Sequence, residues 1–227
     1  MQDRYAGNIG DVGKLALLRC LMEGRRLAVC WYMTNGEVDD ERSGKSFDYL
    51  ERPEEFRHLA PEIFDTLHRI FGESGAGVRG VPALEGSGLL PNAVFHRTEV
   101  PRALAMRRQW SALLVGAVGD ADLVFLDPDN GIQGTRLTPK HVGLAELESL
   151  RRPDRVLVFA QRQTGRHSQV SALARQLWSI GCKRIEVVRF RLIASRFYVV
   201  TDHDEATAGR IAEFARKWGK WVEMYRF

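Results

Sequence analysis

The run Leu123-Val-Phe-Leu-Asp127-Pro128-Asp129-Asn130-Gly131 constrains the fold more than any other part of the chain. Four consecutive apolar residues bounded by a turn signal read as a strand buried on both faces, the pattern of a parallel sheet covered by helices. The strand stops on two carboxylates, an amide and a glycine, the residue that tolerates positive φ. Open α/β sheets bind their ligands at the carboxyl edge of the strands, and the burial of the preceding strand aims Asp127 at that edge. Asn-Gly alone would signal only a turn. Asp127, Asp129 and Asn130 are therefore the candidate reactive residues, with Pro128 shaping the turn.

The rest of the chain alternates strand and helix patterns without an internal repeat. Ile9 to Gly24 reads as a helix, Leu27 to Thr34 as a buried strand and Phe47 to Phe71 as helical, with apolar positions at Phe56, Leu59, Ile63, Phe64, Leu67 and Ile70. A glycine-rich connection runs from Gly72 to Gly80. Val94 to His96 is a short strand, Val100 to Val118 a helix and Pro139 to Leu150 a helix with proline at its start. Val156 to Ala160 is a strand and Ser168 to Ile180 a helix that stops at Gly181. Ile185 to Phe190 and Phe197 to Thr201 lie too close together for a crossover helix and read as an antiparallel pair. Glu205 to Trp218 closes as a helix, and Trp221 to Tyr225 as an edge strand. The expected architecture is a three-layer αβα Rossmann-like sandwich with a mostly parallel sheet and an antiparallel closing hairpin.

At 227 residues and 44% hydrophobic content the chain can bury one full core, so a single domain over 1–227 is expected. No apolar run reaches the roughly 18 residues that span a bilayer. The start, Gln2-Asp3-Arg4-Tyr5, is not a basic segment leading into an apolar one, so the expected location is cytoplasmic, with no membrane partner. Cys20, Cys30 and Cys182 have no metal-type spacing, and Cys20 and Cys30 read as buried thiols. The six histidines show no ligand spacing either.

The net charge of +4 is unevenly spread: Arg151 to Arg196 holds eleven Lys and Arg against Asp154 and Glu186. Such a stretch suits RNA or another phosphate-bearing partner, or simply solvated helix and loop surfaces. Gln161, Arg162 and Arg166 follow the Val156 to Ala160 strand directly, which places them beside the Asp127 turn as candidate substrate contacts.

A second constellation lies near the N-terminus: Tyr5-Ala-Gly7-Asn8-Ile-Gly10-Asp11-Val-Gly13-Lys14. Glycines, an amide, a carboxylate and a lysine enter a helix here, where backbone donors hold anions. The spacing is not that of a phosphate-binding GxxxxGK[ST] loop. The plainer reading makes Asp11 an N-cap and the glycines a flexible start.

Together the two constellations resemble the family of 23S ribosomal RNA adenine-N6 methyltransferases of the RlmJ type. Tyr5 to Lys14 resembles that family's HAGNxADVLKH block, and Phe125-Leu-Asp127-Pro128-Asp-Asn its I-D-P-P-Y motif. Leu27 to Gly36 is similar in place to the first strand and cofactor loop, Thr98-Glu99-Val-Pro101 to the end of the second strand, and Arg184 to Thr201 to the closing hairpin. The resemblance implies a class I methyltransferase fold and S-adenosylmethionine as cofactor. It implies that Tyr5, Asn8, Asp11 and Lys14 help close the cofactor site, and that Thr34, Asn35 and Gly36 belong to the cofactor loop under the methionine moiety. Glu99 would hold the ribose hydroxyls, Pro128 would shape the site, and Asp127 would accept a hydrogen bond from the target amine.

The chain departs from that family at two places. Thr34-Asn35-Gly36-Glu37-Val38 offers one glycine where the family has a G-x-G type loop, and Asp129 and Asn130 stand where it has a second proline and an aromatic. The expected activity is therefore transfer of a methyl or modified methyl group to an amine or thiol of a nucleic acid, a peptide or a small molecule. Two other readings stay open at this level. Asp127, Asp129 and Asn130 are hard oxygen ligands suited to Mg2+ in a metal-dependent phosphoesterase or nuclease, and a non-catalytic Rossmann-like domain would bind nucleic acid or a partner through Arg151 to Arg196.

Overall fold

The computed structural model describes residues 1–34, 47–72, 79–165, 167–192 and 196–227. Helix α1 (Ile9–Leu21) leads to β1 (Leu27–Cys30), α2 (Pro53–Phe56), α3 (Pro61–Phe71), α4 (Val81–Glu85), β2 (Val94–His96) and α5 (Leu104–Val118). There follow β3 (Leu123–Leu126), the two-residue strands β4 (Gly131–Ile132) and β5 (His141–Val142), α6 (Leu144–Leu150), β6 (Val156–Arg162) and α7 (His167–Ser179). The chain closes with β7 (Ile185–Phe190), β8 (Arg196–Thr201), α8 (Glu205–Trp218) and β9 (Val222–Arg226).

The main sheet has seven strands in the order β2-β1-β3-β6-β8-β7-β9. β1, β2, β3 and β6 run parallel. β8 lies antiparallel to both β6 and β7, and β9 antiparallel to β7. Successive side chains of a strand face opposite sides of the sheet, and here that alternation feeds two cores. Leu27, Val29, Leu123, Phe125, Val158 and Val200 pack with α1, α3 and α8 on one face. Ala28, Cys30, Val124, Leu126, Phe159 and Val199 pack with α5, α6 and α7 on the other. The result is the Rossmann-like αβα sandwich expected from the sequence, with the antiparallel closing hairpin in place.

Several boundaries differ from the sequence reading for identifiable reasons. The Phe47 to Phe71 segment is not one helix: Pro53 and Pro61 each start a new one, and a 3-10 turn precedes each, at Asp48–Glu51 and Arg57–Leu59. The helix expected from Pro139 starts only at Leu144, because His141–Val142 pairs with Gly131–Ile132 instead. β1 ends at Cys30, and of the four residues that follow, Met33 alone forms a bridge, to Glu99. The C-terminal helix is as read: Asp204 caps it by accepting from Thr207 N at 2.7 Å. No helix among the described residues is long and apolar enough to cross a membrane.

Candidate functional site at the sheet switch point

β1 has β2 on one side and β3 on the other, so the chain reverses its direction of growth between β1 and β3. The crevice outside the carboxyl ends of strands at such a switch point is where open α/β sheets bind ligands. Asp127, the residue after β3, is 3% exposed there, and its backbone N–H donates to the Cys30 carbonyl at 3.0 Å.

Helix α1 supplies the partner of this carboxylate. Lys14 Nζ donates to Asp127 Oδ2 at 2.8 Å and to Asp11 Oδ1 at 2.6 Å, and lies 5.2 Å from the centre of the Trp31 ring. Burial pulls the Lys14 ammonium pKa down, but the Asp11 and Asp127 carboxylates outweigh it and hold it above its ordinary value. Burial raises the Asp127 pKa, while Lys14, the Met1 amine and Arg196 outweigh that penalty and hold it below the usual carboxylate range. The site therefore contains a buried, ionised carboxylate fixed through one oxygen. The other, Oδ1, makes no hydrogen bond among the described residues, and Asp127 lines a cavity of about 40 Å3 together with Tyr5, Asn8, Asp129, Arg196 and Tyr198.

The turn after Asp127 is built to hold its shape. Gly131 has φ +87°, and a Cβ there would come within 2.0 Å of Gln161 Oε1. That oxygen accepts from Ile132 N at 2.8 Å while Nε2 donates to the Asn130 carbonyl at 3.1 Å. Gln161, read from sequence as a substrate contact, is thus 6% exposed and clamps the Asn130–Ile132 backbone. It positions the turn. Asp129 lies at the cavity rim, 3.0 Å from the Met1 amine, and its carbonyl accepts from Arg196 at 3.4 Å. Arg162 is exposed at the end of β6, directly opposite Arg196 across the strand pair.

The N-terminal block differs in detail from its sequence reading. Asn8, not Asp11, caps α1, its side chain accepting from Gly10 N at 2.8 Å. Asp11 Oδ2 accepts from Gly7 N at 2.7 Å, so these backbone donors are already satisfied within the block and do not cradle an anion. Gly13 lets the helix approach the sheet, since a Cβ there would meet the Phe190 ring at 2.5 Å. Thr34, half-buried, follows β1, and Glu99 is exposed just past β2, bridged to Met33. Asn35, Gly36 and Arg166 lie outside the described residues.

The basic stretch divides between the two edges of the sheet. Arg155 is 2% exposed and donates to the carbonyls of Ala121, Leu150 and Gly119 at the amino edge. Arg151 binds Asp202 and the carbonyls of Ile180 and Gly181, just past α7. Arg184 pairs with Glu205, and Arg189 with Glu223. Arg162, and Arg196 opposite it, lie at the switch-point edge. Sequence reasoning had no signal for Tyr198, whose hydroxyl reaches the Gly10 carbonyl at 3.4 Å. Among the described residues no three His, Cys, Asp or Glu side chains converge as a metal cluster. The Asp127 carboxylate that a cation would take is bound to Lys14.

Fold and site together define a Rossmann-like α/β protein with a buried lysine–carboxylate cluster at the switch point. No family model and no curated protein matches the chain. Among solved structures, it resembles protein LPL1258 from Legionella pneumophila, described under family model DUF519, at 12% identity and TM-score 0.53. That match covers 98% of this chain and 97% of the other, and it shows the fold alone. Human methyltransferase-like protein 13 in complex with SAH is also similar, at 16% identity and TM-score 0.35, over 91% of this chain and 90% of the other.

Proposed function

We propose that the protein is an S-adenosylmethionine-dependent methyltransferase acting on an amine of a nucleic acid. The observation that carries this reading is Asp127: an ionised carboxylate buried at the switch point, held through one oxygen by Lys14 and open through the other to the cavity.

The donor set fits such a cofactor. Glu99, past β2 and beside Met33 past β1, is where Rossmann-like sheets place the acid that binds ribose hydroxyls. Asp11, Asp127 and Asp129 line the cavity and are balanced there by Lys14, the Met1 amine and Arg196. Bound there, the cofactor supplies an electrophilic methyl group. Asp127, held below the usual carboxylate range, is too weak a base to strip a proton from a neutral amine. Its Oδ1 accepts a hydrogen bond from that amine and so fixes the direction of the nitrogen lone pair. Lys14 keeps the carboxylate ionised and in place, and Gln161 keeps the turn behind it rigid. Catalysis on this account comes from positioning.

The nucleic-acid assignment rests on Arg162 and Arg196. Like charges directly opposite on paired strands destabilise a sheet, and this pair sits at the carboxyl edge beside Asp129, where a phosphate would neutralise it. The test is transfer of labelled methyl from S-adenosylmethionine to RNA and DNA fragments. Salt-sensitive incorporation that disappears in Asp127→Asn supports the reading. Undiminished turnover in Asp127→Asn would overturn the role of the carboxylate, and salt-independent transfer to a peptide or small molecule would overturn the substrate class.

A further inference from the structure

The cleft between α5 and α6 lies on the face of the sheet opposite α1 and has a volume of about 430 Å3, within the range of about 300–1,000 Å3 that small-molecule sites occupy. Leu104, Ala112, Val115 and Leu137 give it apolar walls, and every lining residue is among those described. Its lining also includes a buried ion pair, Arg107 and Glu146, 3% and 7% exposed. Arg107 Nε donates to Glu146 Oε1 at 2.6 Å, and NH2 to Glu146 Oε2 at 3.0 Å and to the His141 carbonyl at 2.5 Å. NH1 donates to the Thr138 carbonyl at 2.7 Å. A guanidinium carries five N–H donors, so one NH1 hydrogen is left over. Arg108, exposed at the rim, makes no ion pair or hydrogen bond among the described residues. Arg107 and Glu146 cancel, and Arg108 leaves the cleft with an excess positive charge.

We propose that this cleft binds a small organic anion with an apolar body, its charged head at Arg108 and the spare Arg107 donor, its body against Leu104, Ala112 and Val115. The assignment goes beyond the switch-point site and does not depend on it. Octanoate is the probe, titrated calorimetrically against octanol, which has the same chain without the charge. Arg108→Glu and Ala112→Trp change exposed positions, the first reversing the charge and the second filling the cleft. Octanoate should bind wild-type protein and lose about tenfold or more in affinity in Arg108→Glu. It should fail to bind Ala112→Trp of unchanged thermal stability, and octanol should bind at least about tenfold more weakly than octanoate. Four results would overturn the proposal: no octanoate binding by folded wild-type protein, equal affinity for octanol, binding that survives Ala112→Trp, or a self-association through Leu104 and Leu113 that excludes octanoate and marks the cleft as an interface between copies.

Discussion

Two buried charge clusters draw on helices from opposite faces of the sheet, and they are built to opposite ends. On the α5 side, Glu146 accepts from Arg107, from the Tyr32 hydroxyl at 3.2 Å and from Gly143 N at 2.9 Å, and Arg107 also donates to two backbone carbonyls. The charges cancel, and of the five guanidinium hydrogens one alone is left without a partner among the described residues. On the α1 side Lys14 serves both Asp11 and Asp127, and all three line a cavity with Met1, Asp129 and Arg196, into which Asp127 brings an oxygen with no hydrogen bond among the described residues. The first cluster is a brace and the second a site left incomplete by its own residues. A carboxylate that folding alone required would be matched by partners on every side, as Glu146 is.

Breaking the brace should cost the most. Arg107→Met leaves Glu146 charged, buried and without its cation, and is expected to lower stability by about 5 kcal/mol, read as a shift of the urea midpoint. Arg107→Met combined with Glu146→Leu should recover most of it. Lys14→Met should cost less, about 3 kcal/mol, because the Met1 amine and Arg196 still act on Asp127. Adding Asp127→Asn should restore part of the loss, and a double-mutant cycle in urea measures the coupling. If Lys14→Met proves the more damaging of the two, the contrast between brace and site is wrong.

The Asp127 cluster also responds to acid. Asp127 has its folded pKa lowered, so its stabilising contribution is present above the unfolded value of about 3.9 and is lost as pH falls through the lower folded value. Stability of wild-type protein should therefore fall along that acid limb, and the fall should be shallower in Asp127→Asn. Gly131→Ala, which forces a side chain into positive φ and against Gln161, is expected to cost about 2 kcal/mol, with methyl transfer falling further than stability explains. The smallest effect belongs to a position remote from both clusters: Asp204→Ala removes the cap of α8 and should cost about 1 kcal/mol in thermal unfolding.

What the sequence revealed follows from how local each signal was. The β3 strand and its Asp127 turn are written in nine consecutive residues, and α8 in one uninterrupted segment from Glu205 to Trp218, so both were legible. The α2–α3 segment was not, because its apolar spacing is helical throughout while Pro53 and Pro61 divide it. Arg107 and Glu146 were not singled out, since nothing in a sequence reports a pairing across 39 positions. Gln161 was correctly placed beside the turn, yet its role depends on which atoms it meets: the Asn130 carbonyl and Ile132 N occupy its amide. The arginines of the basic stretch share a segment but not an edge of the sheet, and strand direction alone separates Arg155 from Arg162.

The central claim, that the Asp127 switch point is a cofactor site, is tested most directly by calorimetric titration of S-adenosylhomocysteine into wild-type, Glu99→Ala and Lys14→Met proteins that unfold cooperatively. The account predicts saturable binding with one site per chain, weakened about tenfold or more by each substitution. No saturable binding by wild-type protein, or binding that neither substitution alters, would contradict it.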